Sequence, residues 1–200
     1  MSYKYFKRHF DLIGSILLII IALPIFAVIA LFIFFKGGLP ILFRQRRPGL
    51  DGRPFILYKF RTMVEKRNSQ NKQLADVDRL PVWGRILREM SLDELPELWN
   101  ILKGEMSLVG PRPLLLEYLE YYTPEQTRRH EVKPGMTGWA QVNGRNALNW
   151  KRKFELDLWY IDHLSFGLDL KIVGLSLLKI IKREGISQPG CVTAEKFRGE

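Results

Sequence analysis

The chain has 200 residues, of which 46% are apolar, and it carries 31 Lys and Arg against 21 Asp and Glu, a formal charge of +10. This length and apolar content exclude a disordered chain and fit one modest domain with an appendage, while the single cysteine, Cys191, excludes an intrachain disulfide and the three histidines offer no zinc-type ligand set. The positive charge predicts an anionic partner, such as a nucleic acid, a phospholipid surface or a phosphorylated small molecule.

An uncharged apolar segment occupies the N-terminal part of the chain, from Leu12 to Phe35. As a helix it would be about 36 Å long, which is enough to cross the hydrocarbon core of a bilayer. The segment is too long for a secretory signal peptide, and no small-residue cleavage site follows it. The sequence therefore predicts a membrane helix within residues 1–38.

Pro24 lies near the middle of this segment, where it removes a backbone hydrogen bond and bends a helix. Basic residues flank the segment on both sides: Lys4, Lys7, Arg8 and His9 before it, and Lys36, Arg44, Arg46 and Arg47 after it. A simple transmembrane span concentrates Lys and Arg on its cytoplasmic side, so this symmetry favours a re-entrant helix with both ends on one membrane face. A single span with a tolerated proline is the alternative.

Residues 39–200 are predicted to form one cytosolic domain, which makes the chain a mostly helical α+β protein. The pattern at 41–63 predicts a small β-hairpin, and the polar stretch 64–80 predicts a surface loop. Helices are expected in four stretches: 83–90, 93–104, the residues after Arg112, and 150–164. The glycine-rich stretch 132–146 predicts a loop with little regular structure.

The apolar segment at 169–185 has lysines among its leucines and isoleucines, which predicts an amphipathic helix. In the bilayer interface its cations would lie near lipid headgroups, and tryptophans such as Trp99 and Trp159 would act as interfacial anchors. A core helix is the alternative that the same residues allow.

Two adjacent carboxylates, Asp93 and Glu94, lie between leucines in the stretch SLDELPELWN. One interpretation is structural, because Ser91 and Glu94 fit the Ser-x-x-Glu capping box and acids favour the first turn of a helix. The other is chemical, because Pro96 argues against a simple continuous helix at this point. Adjacent helical residues also point in different directions, so one acid could attack while the other holds a cation.

An aspartate that attacks a phosphoryl group needs positive charge and a divalent metal at the same centre. The candidates for that charge are four cations in short motifs: Lys59 and Arg61 in YKFRTM, Arg112 in GPRP, and Arg145 in NGRN. Pro111 and Pro113 stiffen the backbone at Arg112, whose guanidinium is suited to phosphate oxygens. Judged singly, a cation of this kind is more often a solvated surface side chain than a phosphate ligand.

Taken together, these motifs resemble those of the bacterial sugar transferase family. The resemblance rests on the apolar helix with its central proline and on four stretches: YKFRTM, SLDELPELWNILKGEMSLVGPRPL, RHEVKPGMTGWAQVNGRN and LDLKI. It covers essentially the whole chain and is to the small monotopic phosphoglycosyl transferases, including those that transfer diacetylbacillosamine phosphate in N-glycosylation and those that initiate exopolysaccharides. The family pattern has a Ser-Pro pair at the helix break, whereas Leu23 precedes Pro24 here.

The resemblance implies an enzyme that moves a sugar 1-phosphate from a UDP-sugar to undecaprenyl phosphate and releases UMP, the first membrane step of glycoconjugate assembly. It implies that residues 39–200 are the catalytic domain, that Asp93 is a covalent nucleophile, that Glu94 binds Mg²⁺, and that Arg112 contacts phosphate. Further motif positions of the family fall on Lys59, Arg145 and Asp169. The protein would lie on the cytoplasmic face of the bacterial inner membrane, against an anionic bilayer, without a nucleic-acid partner and either as a monomer or as a homo-oligomer.

Two alternatives stand beside this hypothesis. The first is a membrane-anchored basic module that binds anionic lipid or nucleic acid without catalysis. The second is a transferase in which the lipid phosphate attacks the UDP-sugar directly, with Asp93 only positioning the cation. A covalent mechanism predicts ping-pong kinetics and a trappable sugar-phosphate adduct, and direct attack predicts neither.

Overall fold

A computed structural model of the chain describes residues 3–66, 68, 70–144, 147–182 and 196–199. A long helix, α1 (Tyr3–Gly37), precedes a hairpin of strands β1 (Leu42–Pro48) and β2 (Pro54–Phe60). The later helices and strands, in chain order, are α2 (Asp76–Arg79), α3 (Val82–Glu89), α4 (Glu97–Lys103), β3 (Ser107–Val109), α5 (Pro124–Thr127), β4 (Gly135–Thr137), α6 (Trp139–Val142), α7 (Trp150–Asp162) and α8 (Phe166–Lys182). Short 3-10 helices lie at Leu50–Gly52, Leu92–Glu94, Leu116–Tyr121 and Arg128–His130.

This architecture confirms the mostly helical α+β class. The hairpin is antiparallel, pairing Leu42 with Phe60 and Pro48 with Pro54, as the alternating pattern predicted. The predicted helices at 83–90 and 93–104 correspond to α3, a 3-10 turn and α4. Helix α4 is capped by Gly104, whose φ of +82° gives the left-handed conformation typical of helix ends. The stretch after Arg112 is a 3-10 helix rather than an α-helix.

The glycine-rich stretch 132–146 is more regular than predicted. It contains strand β4 and the one-turn helix α6, and β4 pairs in parallel with β3, so the expectation of little regular structure was wrong for these residues. The pairing depends on a close backbone approach, because a Cβ on Gly135 would lie 2.0 Å from the backbone nitrogen of Gly110. Only glycine permits strands to approach this closely at this point.

The main core lies where α4, the two short parallel strands, α7 and α8 meet. Its most deeply buried side chains are Leu98, Ile101, Met106, Val109, Tyr160 and Ile172. Helix α8 contributes Ile172 to this core, yet Leu170, Leu177 and Leu178 on the same helix are more than half exposed. The helix therefore packs on one face and presents leucines on another, which is compatible with the predicted interfacial position.

Helix α1 is held against the domain by one stripe of side chains along its whole length. The buried members recur every four or seven residues: Lys7, Asp11, Ser15, Ala22, Ile29 and Ile33. Most of the other side chains between Ile13 and Phe35 are apolar and exposed, including Ile21 at 70% and Val28 at 67%. The segment Phe6–Gly37 is long and apolar enough to cross a membrane, which suits membrane association.

Both ends of α1 are bonded to the same domain. Near the N-terminus, Arg8 donates to the carbonyls of Ile101 (2.7 Å) and Leu102 (2.8 Å) in the last turn of α4. At the other end, Arg61 donates to the carbonyls of Gly37, Gly38 and Leu39. Pro24 lies inside α1, and the chain is helical both before and after it. A bend at Pro24 remains a prediction.

Candidate active site

The two adjacent acids lie in a turn that separates α3 from α4. Ser91 adopts a φ of +55°, and its side chain makes no capping hydrogen bond, so the capping-box interpretation was wrong. Asp93 and Glu94 follow in a single 3-10 turn, and Pro96 then immediately precedes the first residue of α4. Both acids are buried, at 8% and 7% exposed. The burial of two adjacent carboxylates calls for compensating cations.

Glu94 is held firmly by two cations. The Lys59 ammonium lies 2.8 Å from Glu94 Oε1, and Arg112 bonds to both carboxylate oxygens, with Nη1 3.4 Å from Oε2. Lys59 reaches this position because the period of two along β2, which buries Phe55 and Leu57, also turns residue 59 inward. The Glu94 carboxylate raises the pKa of Arg112 further above its ordinary range.

The surroundings of the Asp93 carboxylate differ from those of Glu94. No hydrogen bond or ion pair joins its carboxylate to any residue that the structure describes. Burial, with the charge of Glu94 next, raises the pKa of Asp93 to about 6, and the nearby Lys59, Arg88 and Arg112 only partly offset this. At neutral pH Asp93 is therefore mostly ionised, and its carboxylate is not bonded to any described residue. An attacking carboxylate must be in this ionised and accessible form.

Glu97 is a third acid at this centre, and the sequence reasoning missed it. It is 1% exposed, and its Oε1 lies 3.1 Å from the Lys59 ammonium. Burial raises the pKa of Glu97 to about 7, even though Lys59 acts in the opposite direction. Burial alone would lower the pKa of Lys59, but Glu94 and Glu97 together raise it, so this lysine stays charged. In the sequence, Glu97 could have been identified by its spacing of four residues from Asp93, because side chains four residues apart lie near each other on a helix.

The Pro-Arg-Pro backbone is fixed at each of its three carbonyls. The Pro111 carbonyl accepts from the Gly135 amide at 2.9 Å, the Arg112 carbonyl from Arg129 at 2.8 Å, and the Pro113 carbonyl from Arg47 at 3.3 Å. Arg129 is itself buried and paired with Asp157 at 2.8 Å. These bonds hold the Arg112 backbone in place while its guanidinium reaches Glu94. Arg47 and Arg129 are supporting residues that the motif analysis did not identify.

A groove of about 2010 Å³ connects this charged centre with the apolar helix. Its wall includes Ile19, Leu23 and Phe26 of α1. The charged residues that line it include Lys59, Asp93, Glu94, Arg88 and Arg112. The groove therefore offers one surface for a hydrocarbon chain and another for phosphate groups.

The remaining predicted site residues fall in different places. Arg61 lines the groove, but its guanidinium bonds to the carbonyls at the end of α1. Asp169 is fully buried away from the groove lining, where it accepts from Tyr3 and Lys7 at 2.5 Å and from Tyr160 at 2.7 Å. It therefore anchors the N-terminal end of α1. Arg145 lies outside the described residues.

The residues at the centre can be compared with the needs of Mg²⁺. Within the described ranges, no group of three Asp, Glu, His or Cys side chains forms a metal site. Magnesium in phosphoryl-transfer sites is commonly held by one or two carboxylates together with substrate phosphates. Asp93 and Glu94 supply hard oxygen donors on one groove wall. This donor set fits the ion.

Comparison with known proteins gives a consistent result. A model of the family described as bacterial sugar transferase matches residues 2–183. The chain is 56% identical to the uncharacterized sugar transferase EpsL of Bacillus subtilis, over 96% of each chain. It is 35% identical to an undecaprenyl-phosphate galactose phosphotransferase of Salmonella typhimurium, over 92% of this chain and 42% of that protein. It is 41% identical to a UDP-glucose:undecaprenyl-phosphate glucose-1-phosphate transferase of Klebsiella pneumoniae, over 87% of this chain and 40% of that protein.

Proposed function

Because this chain belongs to the bacterial sugar transferase family, we propose that it transfers a sugar 1-phosphate from a UDP-sugar to undecaprenyl phosphate. The products would be an undecaprenyl diphosphate sugar and UMP. The names of the Salmonella and Klebsiella relatives support this reaction, although the chain spans less than half of those two proteins. The single observation that carries the proposal is Asp93, a buried carboxylate without a partner among the described residues, in a groove that continues onto the apolar face of α1.

The reaction would proceed in two displacements at the sugar-bearing phosphorus. A carboxylate oxygen of Asp93 forms a bond to this phosphorus, and the bond from phosphorus to the oxygen of the UMP phosphate breaks with its electron pair. UMP leaves, and the sugar phosphate remains on Asp93 as an acyl phosphate. An oxygen of undecaprenyl phosphate then attacks the same phosphorus, and the Asp93 carboxylate is released.

The neighbouring charges have separate roles in this scheme. Arg112 and Lys59 are paired with the adjacent Glu94, and their positive charges also act on Asp93, so they reduce the repulsion between its carboxylate and the anionic diphosphate. Glu94 fixes both cations, since it bonds to each of them. When bound, Mg²⁺ would supply further neutralisation of phosphate charge, and Glu94 is the residue that would hold it. Glu97 keeps Lys59 in position from the buried side.

The position of α1 supports a protein that dips into one leaflet. Arg8 and Arg61 tie opposite ends of α1 to one domain, so a simple span would draw that domain into the bilayer. A re-entrant helix instead leaves the catalytic centre at the headgroup level, where the lipid phosphate lies. The cytoplasmic face of the inner membrane is the side from which a soluble UDP-sugar would arrive.

The enzymatic proposal is tested by Asp93→Asn in the full chain with undecaprenyl phosphate and a panel of UDP-sugars. Release of UMP is expected from the parent protein and to fall at least about a thousandfold in the variant, because the nucleophile is removed. The matched control is Asp78→Asn, which removes an exposed carboxylate on α2 and should leave turnover unchanged. Equal UMP release by the parent and the Asp93 variant would refute the assignment.

The covalent step needs a separate experiment. The parent protein is incubated with a UDP-sugar in the absence of lipid acceptor, and the intact mass is measured. A gain equal to one sugar phosphate, absent from Asp93→Asn, is expected. Turnover with acceptor but no adduct without it would favour direct attack by the lipid phosphate.

The topology is tested with single cysteines at positions 9 and 36, in a background where Cys191 is replaced by serine. Both positions are exposed and flank the apolar segment. A membrane-impermeant maleimide applied to intact spheroplasts should label neither position, and permeabilised cells should be labelled at both. Labelling of only one position in intact spheroplasts would show a simple span.

A further inference from the structure

Lys153 is a cation of the groove that the chemistry described above does not use. It projects from α7 and is half-buried among the residues that line the groove, which at this end include Tyr118 and Trp150. Its ammonium lies 4.5 Å from the ring centroid of Trp150, so a cation–π contact holds its position. This end of the groove is therefore built from aromatic rings around a lysine.

No described carboxylate lies within ion-pair distance of Lys153. The acid one turn along the helix, Asp157, is paired with Arg129 at 2.8 Å, and its attraction for Lys153 acts without direct contact. Burial lowers the pKa of Lys153, and the positive charge of Arg112 lowers it further. Two cations thus face the same space, and a bound anion would relieve their repulsion.

The position of Lys153 separates it from the lipid-facing wall. Helix α1 supplies one apolar wall of the groove and packs against α4 and β3. Lys153 instead belongs to α7, which packs against α6 and the 3-10 helix at Arg128–His130. A donor whose diphosphate lies across Arg112 would extend its nucleotide portion away from α1.

We propose that Lys153 binds the phosphate group of the UDP-sugar that leaves with UMP, so that the α7 end of the groove is the nucleotide subsite. This inference rests on the proposed function, because it assigns one substrate of that reaction to one end of the same groove. Lys153 would neutralise charge that develops on the UMP phosphate when the bond to the sugar-bearing phosphorus breaks. Arg112 would remain with the transferred phosphoryl group.

The test uses UMP, the product common to every UDP-sugar, as the probe. Binding of UMP to the full-length Asp93→Asn protein in detergent is measured by calorimetry, with Lys153→Gln, Lys153→Arg or Lys151→Gln added. Lys151 is the matched control, since it is exposed on the same helix and does not line the groove. We expect Lys153→Gln to weaken UMP binding about tenfold or more, Lys153→Arg to retain most of it, and Lys151→Gln to change it less than about twofold.

Steady-state kinetics of the same Lys153 and Lys151 variants, with Asp93 intact, show which half-reaction Lys153 affects. Lys153→Gln should lower kcat/KM for the UDP-sugar and leave kcat/KM for undecaprenyl phosphate unchanged, because in a ping-pong reaction each kcat/KM reports only its own half-reaction. UMP binding unaltered by Lys153→Gln would overturn the inference, and so would a lowered kcat/KM for the lipid alone, which would assign Lys153 to the acceptor. In either case UMP release by the parent protein would leave the proposed function standing, whereas no release from any UDP-sugar would reject that function itself.

Discussion

Replacing Asp93 with asparagine is expected to stabilise the protein while it abolishes turnover. Burial first, and the Glu94 charge second, raise the pKa of Asp93 from 3.8 to about 6. The folded protein therefore binds this proton more tightly than the unfolded chain does, and stability falls as the pH rises from 3.8 to about 6. This difference between the folded and unfolded pKa corresponds to a loss of about 3 kcal/mol of folding stability at neutral pH.

The asparagine amide has no proton to lose, so its advantage over aspartate should grow with pH. We expect about half of the 3 kcal/mol at about pH 5 and nearly all of it at about pH 7.5. For a chain of this size, about 3 kcal/mol raises the melting temperature by roughly 6–12 °C. The assay is thermal unfolding of the full chain in detergent at several pH values, with Asp78→Asn as the exposed control.

The pH dependence separates this explanation from a structural role for the acid. If Asp93 served the fold through contacts of its charged form, asparagine would lower the melting temperature, and most strongly at neutral pH. An Asp93→Asn protein that melts below the parent at every pH would refute the reasoning. A higher melting temperature that does not depend on pH would also refute it, because titration of the carboxyl group would then not be the cause.

Two further predictions follow from the same geometry. Lys59→Met removes a charge that lowers the pKa of Asp93, so the acid limb of the pH dependence of adduct formation should move above about pH 6, and an unmoved limb would contradict this. Gly84→Ala should destabilise the protein by about 1–3 kcal/mol in chemical unfolding, because its Cβ would lie 2.0 Å from the Thr62 carbonyl oxygen. Gly174→Ala is the control for the second prediction, since a Cβ there meets nothing within 4 Å and alanine favours a helix.

The sequence predicted the elements whose signals are local. Hydrophobic periodicity, together with glycine and proline at the ends of each stretch, predicted the hairpin, α3, α4 with its Gly104 cap, and α7. The pairing of β3 with β4 escaped prediction, because each strand has three residues and the partners are far apart in the chain. Such pairing depends on glycines that allow backbones to meet, and a single sequence does not show which glycines do so.

At the candidate site, the motifs located the groups but not their relations. Asp93, Glu94, Lys59 and Arg112 line one groove, but the difference between the two acids is visible only in three dimensions. Glu94 is bonded to two cations, and Asp93 has no bond to a described residue. Asp169 also belongs to a motif, but it does not line the groove. It is buried and anchors the N-terminal end of α1.

The membrane environment explains why polar contacts, rather than apolar burial alone, anchor the N-terminal end of α1. Lipid tails are as apolar as leucine, so burial of apolar side chains gives little preference for protein over lipid along α1. The N-terminal part of the helix is instead positioned by polar contacts: Asp169 accepts from Lys7, and Asp11 accepts from the Ser107 hydroxyl and the Leu108 amide, each at 2.9 Å. These contacts are directional and cannot be replaced by lipid. They fix α1 as one wall of the groove, which places its apolar side chains beside the charged centre instead of leaving them free to drift in the bilayer.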